Sequence, residues 1–443
     1  MAKAFVIAGV GSGSGKTTVT CSVILAMKKM GYRVQPFKVG PDYIDPQHLS
    51  KAAGRPCRNL DVWMMGPEGV RENFLRGCCG VDVCVVEGVG GVYDGLGCES
   101  FASTAHVARI LGLPVILVLD AWGISRTAAA LVKGIREFED LDVRGVIFNF
   151  AGSERHCSLL RRVVESSLPE TRVLGCIVRS KKGFVPERHL GILQAWELDW
   201  RDREGILLDL SKNIDVEGIL GLAVDVEGAG VFPRMEGSLK IAVARDRAFS
   251  FLYTETLEAL EESGCRIVFF SPVDGEGIPS DARGLILPGG YPELWADELE
   301  ESGFFKELRI YADSGMPIYA ECGGLIALSR CALYKGRRLP MAGVIPVEVE
   351  FGSRPLLGYA AGSARPGHPF LRADTVVKGH VFHYSRAKLL GEIDRAYRLS
   401  LPTRGMELDE GFVKGKVVAT YLHTCWGYGE ARRIMEGFLE AAV

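Results

Sequence analysis

Residues 9–18 read Gly9-Val10-Gly11-Ser12-Gly13-Ser14-Gly15-Lys16-Thr17-Thr18, between the apolar run AFVIAGV (4–10) and the helix-compatible stretch TVTCSVILAMKKM (18–30). A glycine turn from a buried strand into a helix aims backbone N–H groups and the helix N-terminus at phosphates. In that setting Lys16 neutralises charge on the β- and γ-phosphates of a nucleotide and the Thr17 hydroxyl ligates Mg²⁺, so the Gly-Lys-Thr order matters more than glycine content. Five residues separate Gly9 from Gly15 where the strict loop has four, which makes this a longer variant. Gly11, Ser12, Gly13, Gly15, Lys16, Thr17 and Thr18 are the candidate phosphate contacts.

Beyond the loop, the apolar runs VCVVEGV (83–89), PVILVLD (114–120) and GVIFNF (145–150) alternate with helix-compatible stretches. That order predicts βαβ units and a mostly parallel sheet. After GILGLAV (218–224) comes the Gly- and Pro-rich VEGAGVFPRMEGS (226–238), and LKIAVA (239–244) starts a fresh alternation. The expectation is an α/β protein of two domains, 1–225 and 239–443, joined by a linker over 226–238, since 443 residues exceed what one core organises.

The second half repeats the logic with CRIVFFSP (265–272), GLILPGG (284–290), PIYAECGG (317–324) and VVATYLH (417–423). Sites gather at strand C-termini in such sheets. Cys322 falls on a tight strand-to-helix turn, where an exposed sulfur and a helix dipole would lower its pKa. His423 ends another predicted strand and is the candidate general base. In Pro288-Gly289-Gly290-Tyr291-Pro292-Glu293 the Gly290 N–H, joined by that of Gly323, can stabilise an oxyanion. Together these are the parts for thiolate attack on a carboxamide. His380 and His383 alternate to opposite faces of a predicted strand, which argues against a shared metal and leaves them structural or substrate-proximal.

A Mg²⁺–nucleotide site needs carboxylates beyond the loop. Asp42 and Asp45 in Lys38-Val39-Gly40-Pro41-Asp42-Tyr43-Ile44-Asp45-Pro46 supply two, and Glu87 ends the run VCVVE. A turn residue beside proline is the competing reading for either aspartate, whereas a carboxylate closing a buried strand is seldom idle.

Composition narrows the partners. With 24% charged residues and a net charge of −3, nothing favours nucleic acid or an anionic membrane, and small molecules are expected. No run of 18 apolar residues occurs, and the opening MAKAFVIAGVGSGSGKTT lacks the regions of a signal peptide, so a cytoplasmic chain is expected. Twelve cysteines without CxxC or zinc-type spacing predict mostly reduced, buried thiols and no disulfide framework.

The loop GVGSGSGKTT, FKVGPDYIDP (37–46), RNLDVW (58–63), VVEGVGGVYDG (85–95), PERHLG (186–191), PGGYPE (288–293), AECGGL (320–325) and HVFHYS (380–385), in this order, resemble the cobyrinic acid a,c-diamide synthase family. The resemblance covers nearly the entire chain. It implies a dethiobiotin-synthetase-like P-loop NTPase domain fused to a flavodoxin-like class I glutamine amidotransferase domain, with ATP, Mg²⁺, glutamine and a corrin or sirohydrochlorin-type tetrapyrrole as ligands. It implies that ATP phosphorylates a carboxylate and that ammonia released from glutamine attacks the acyl phosphate, once at the a acetate and once at the c acetate. Carried over by position, Lys16, Thr17 and Lys38 serve the phosphates, Thr17 the Mg²⁺, and Asp45 and Glu87 the Mg²⁺ or carboxylate activation. Asn149 goes to the adenine edge, Asp42, Tyr43 and Asp61 to the substrate, and Cys322 with His423 to the glutaminase. A homodimer stays open.

Two positions depart from the pattern. Gly90 stands where many members carry methionine, and Cys425 stands two past His423, where class I glutaminases have a glutamate. Cys425 cannot orient an imidazole as a carboxylate would, so the orienting partner of His423 is open. The alternatives are the same reaction on Ni-sirohydrochlorin in coenzyme F430 synthesis or on another such ring, and a nucleotide-switch ATPase with an inactive glutaminase. Gly11, where switch ATPases carry a second lysine, and the intact Cys322 weigh against the switch.

Overall fold

The computed structural model describes residues 1–179, 187–188, 191–230 and 237–443. The chain divides into two compact units, Met1–Val231 and Phe232–Val443. Residues 231–236 of the expected linker, and Pro186, His189 and Leu190 of the motif at 186–191, lie outside the described residues.

The first unit is built on a parallel sheet in the order Arg58–Leu60, Val34–Val39, Val83–Glu87, Ala2–Gly9, Val115–Asp120, Val143–Ala151, Arg172–Val178. Val224–Val226 adds antiparallel to the start of Ala2–Gly9. The runs Val6–Ala8 and Val83–Val86 are wholly buried, as expected for strands covered on both faces. Helix Lys16–Lys29 packs Val19, Val23, Ile24 and Met27 into the same core as Phe5, Ile7, Val83 and Val85. This fixes the phosphate loop at the C-terminal end of the central strand, between Val83–Glu87 and Val115–Asp120.

The thiols depart from expectation at one pair. Cys157 in helix Glu154–Ser167 and Cys176 in strand Arg172–Val178 form a disulfide. The spacing of 19 residues resembles no framework pattern, and only the packing of that helix against the next strand brings the two together. Of the ten free cysteines, all but Cys79 and Cys98 are buried.

The second unit holds two sheets. A six-stranded one runs Cys265–Phe270, Leu239–Ala244, Gly284–Leu287, Ile318–Glu321, Val417–Thr420, Phe412–Lys414, parallel except for its last strand. A second, largely antiparallel sheet is centred on the long strands Val347–Ala364 and Val376–Leu389 and ends on Leu422–His423. The chain therefore leaves one sheet after Thr420 and joins the other at Leu422, with only Tyr421 between.

Candidate active sites

In the first unit, Lys16 is buried and its Nζ donates to the carbonyls of Gly11 (2.9 Å) and Gly90 (2.7 Å). Burial, and then the neighbouring Lys38 charge, lower its pKa to about 8. A low-pKa ammonium held only by carbonyls is ready to exchange them for phosphate oxygens. Gly90 thus acquires a role that sequence did not reveal: with φ of 53° it turns its carbonyl onto Lys16. The neighbouring Gly91 N–H is fixed by Asp94 Oδ2 at 2.9 Å.

Behind the loop lies a buried ion cluster. Lys38 Nζ, 2% exposed, donates to Asp45 (2.6 Å), to Glu87 (2.7 Å) and to the Gly88 carbonyl (3.0 Å), and Thr17 Oγ1 donates to the same Glu87 oxygen at 3.1 Å. Parallel pairing sets the cluster, because Lys38 and Glu87 are Cα partners on neighbouring strands. Burial works against the Lys38 ammonium, but Asp45 and Glu87 overcome it and hold its pKa above the ordinary lysine value. Burial likewise opposes the Asp45 carboxylate, yet Lys38 holds it at about 2. Asp42 is pushed up to about 7, first by burial and then by the Asp45 charge. Its Oδ1 accepts from Ile44 N (2.7 Å) and Asp45 N (3.2 Å), the turn chemistry weighed from sequence.

The second Glu87 carboxylate oxygen is buried without a hydrogen-bond partner. With the Thr17 hydroxyl beside it, this orphaned hard oxygen fits Mg²⁺, which takes few protein ligands and completes its shell with phosphates and water. Asp45 is engaged by Lys38 instead, and no group of three or more His, Cys, Asp or Glu among the described residues forms a closed metal cage.

Two carried-over residues are engaged with the protein's own backbone. Asn149 spends its Nδ2 on the Ser14 carbonyl (3.0 Å) and its oxygen on Phe150 N–H (3.0 Å), bracing the loop from below rather than standing free for a base. Asp61, 1% exposed, accepts from Met64 N at 2.8 Å and caps helix Val62–Gly77. Tyr43 is buried on the same Gly40–Asp45 turn.

In the second unit, Cys322 occupies φ 45°, ψ −94° between strand Ile318–Glu321 and helix Gly323–Leu328. For a non-glycine residue this conformation costs about 1–3 kcal/mol and persists only where the surroundings enforce it. They do: Cys322 N donates to Thr420 O (2.7 Å), Ile326 N to Cys322 O (3.0 Å) and Gly324 N to Pro288 O (3.1 Å). A Cβ on Gly323 would lie 2.7 Å from Gly290 N, and one on Gly290, at φ 151°, would lie 2.0 Å from Ala248 O. Only glycine lets the two expected oxyanion donors come this close.

His423 is 1% exposed, and its Cε1 would lie 2.7 Å from a Cβ on Gly289, so Cys322 and His423 flank the same Gly289–Gly290 turn. The expected lowering of the thiol's pKa does not hold. Burial, then the charges of Glu293 and Glu321, push it up, and the six-residue helix offers only the Gly323 N–H in opposition. The resting group is a thiol that must hand its proton to a base during attack.

The base has a partner that sequence reasoning missed. Glu321 Oε2 lies 3.1 Å from His423 Nδ1. His380 stacks on the His423 ring, 4.9 Å between centroids and 16° between planes, with its Nε2 against Tyr253 OH at 2.8 Å. His383 stacks on Tyr421, 3.9 Å between centroids, so the two histidines pack on neighbouring rings of the same region.

Residues 5–192 match the family of CobQ/CobB/MinD/ParA nucleotide binding domains, and residues 240–431 match the CobB/CobQ-like glutamine amidotransferase domain. The cobyrinate a,c-diamide synthase of Thermoplasma acidophilum is 38% identical over 429 residues, covering 94% of this chain and 95% of its own. That of Caldanaerobacter subterraneus subsp. tengcongensis is 37% identical, covering 96% and 95%. That of Gloeobacter violaceus is 39% identical, covering 96% and 94%. A nucleotide-binding unit and a glutamine amidotransferase unit in one chain, matched end to end at these identities, mean that the chain belongs to the cobyrinate a,c-diamide synthase family.

Proposed function

We propose that the protein converts cobyrinic acid to its a,c-diamide, using one ATP and one glutamine for each of two acetate carboxylates. The observation that carries the reading is the co-occurrence in one chain of two candidate half-sites: Lys16 poised at a phosphate loop backed by Lys38, Asp45 and Glu87, and Cys322 at a strained turn beside His423.

In the first half-reaction a substrate carboxylate oxygen attacks the γ-phosphorus of ATP, ADP leaves, and an acyl phosphate forms. Lys16 balances the charge that builds on the phosphoryl oxygens, and Lys38 fixes the Asp45 and Glu87 carboxylates. Mg²⁺, when bound with the nucleotide, neutralises further phosphate charge, and Thr17 Oγ1 with the orphaned Glu87 oxygen would hold it. In the second unit His423 takes the Cys322 proton as sulfur attacks the glutamine carboxamide. The Gly290 and Gly323 N–H groups receive the developing oxyanion, His423 passes the proton to the departing nitrogen, and collapse of the tetrahedral adduct releases ammonia and leaves a Cys322 thioester that water hydrolyses to glutamate and free thiol. Ammonia displaces phosphate from the acyl phosphate, leaving the amide.

The test offers cobyrinic acid and Ni-sirohydrochlorin separately with ATP, Mg²⁺ and glutamine, and reads product mass. Two amides on cobyrinic acid are expected, and Cys322→Ser should abolish the glutamine-supported reaction while ammonium still supports it. Preference for the nickel ring would move the substrate assignment. Loss of both nitrogen sources in a folded Cys322→Ser chain would refute the division of labour.

A further inference from the structure

We infer that Glu321, the residue immediately before the nucleophile, is the positioning carboxylate of the glutaminase and fixes the His423 imidazole so that its Nε2 is the proton acceptor. The inference rests on the glutaminase reading and names what that reading lacks, because the residue two past His423 is the buried thiol Cys425.

Both oxygens of Glu321 are committed. Oε2 faces His423 Nδ1 at 3.1 Å, while Oε1 accepts from the Thr424 N–H (3.1 Å) and from Thr424 Oγ1 (3.0 Å). Thr424 Oγ1 is in turn held by Trp426 Nε1 at 3.1 Å, so the carboxylate plane cannot swing. An ionised carboxylate only accepts, so the hydrogen of a neutral His423 belongs on Nδ1 and the lone pair on Nε2.

Strand pairing explains why this residue can reach. Glu321 is the Cα partner of Thr420 in the parallel sheet, and the chain arrives at His423 three residues later. The titratable groups near the ring include His380, stacked on it, and His383 on the same neighbouring strand, while Tyr253 is hydrogen-bonded to His380. Burial keeps His380 neutral, so it stacks on His423 without repelling the imidazolium that forms during attack.

The experiment measures glutamate release from glutamine by the full chain with ATP present. In Glu321→Gln the amide can donate to Nδ1 and place the ring hydrogen on Nε2, so kcat should fall on the order of 10²- to 10⁴-fold with KM for glutamine within about threefold. Glu321→Asp should recover a measurable part of that loss. A kcat within about threefold of the parent, or a rise in KM alone, overturns the inference. A second measurement needs no variant: ¹⁵N spectra of labelled histidine, with His423 assigned from His423→Gln, should show the Nδ1–H tautomer, and an Nε2–H tautomer overturns the inference even if the variants fail to fold. Cys322→Ser separates the two readings. Glutaminase activity surviving there would sink the glutaminase itself, whereas loss there with Glu321→Gln intact would sink only the role of Glu321.

Discussion

Replacing Lys38 with methionine removes the cation from the buried cluster while keeping the length of the side chain. Lys38 is 2% exposed and Glu87 0%, and Asp45 and Glu87 both depend on the one ammonium. Removing one partner of a buried ion pair costs about 3–5 kcal/mol, because the charge left behind has no water to turn to. The first unit spans 231 residues, for which about 1 kcal/mol moves a thermal midpoint by about 2–4 °C, so its transition should fall by roughly 6–20 °C. Calorimetry of the full chain, with the unit's transition identified by its upward shift on adding ATP, measures this. The sign of the pH dependence is fixed. Without Lys38 both carboxyls have folded-state pKa values above their unfolded ones, so the stability they contribute is present at low pH and lost as pH rises. In the parent, Lys38 holds Asp45 at about 2, and that group contributes stability above its unfolded pKa instead. The gap between variant and parent should therefore be widest near pH 8 and shrink towards pH 5. A gap under about 1 kcal/mol, or one that does not change with pH, would refute the picture of two carboxylates sharing one buried counter-ion.

Lys16 is lowered to about 8 in the free protein and must be charged to hold phosphate, so ATP affinity should be full at pH 7 and decline as pH rises past 8. Calorimetry in buffers of different ionisation enthalpy should show proton uptake on binding near pH 8, and a flat affinity with no uptake would contradict the assignment. Gly290→Ala places a Cβ 2.0 Å from the Ala248 carbonyl and should displace an oxyanion donor. Glutamine-supported amidation should then drop on the order of 10²-fold with ammonium-supported amidation unchanged, and equal loss of both would place the damage elsewhere.

How far the sequence reaches is clearest at particular residues. Leu239–Ala244 has the bounds that its apolar pattern predicts, and the phosphate loop, Cys322 and His423 are legible because strand ends with the right side chains are local signals. Strand Val34–Val39 is harder to see. Pro36 lies within it and has no N–H for a ladder, yet the strand pairs on both sides. The long strand Val347–Ala364 is likewise masked by Gly352, Pro355, Gly358 and Gly362, which break its alternation. Glu321 was hidden for a different reason. Its function depends on the pairing register with Thr420 and on a turn of chain beyond it, and register is a property of two distant segments at once. The raised thiol of Cys322 follows the same rule, because charges from Glu293 and Glu321 reach it only after folding.

The crossing at Tyr421 makes glutamine hydrolysis a report on assembly. Thr420 is registered against Glu321 in the parallel sheet, while His423 is registered against His380 in the antiparallel one. A nascent chain with only the first sheet in place would hold Cys322 without His423, and one with only the second His423 without Cys322. Cys322 and His423 thus come together only where the two sheets meet.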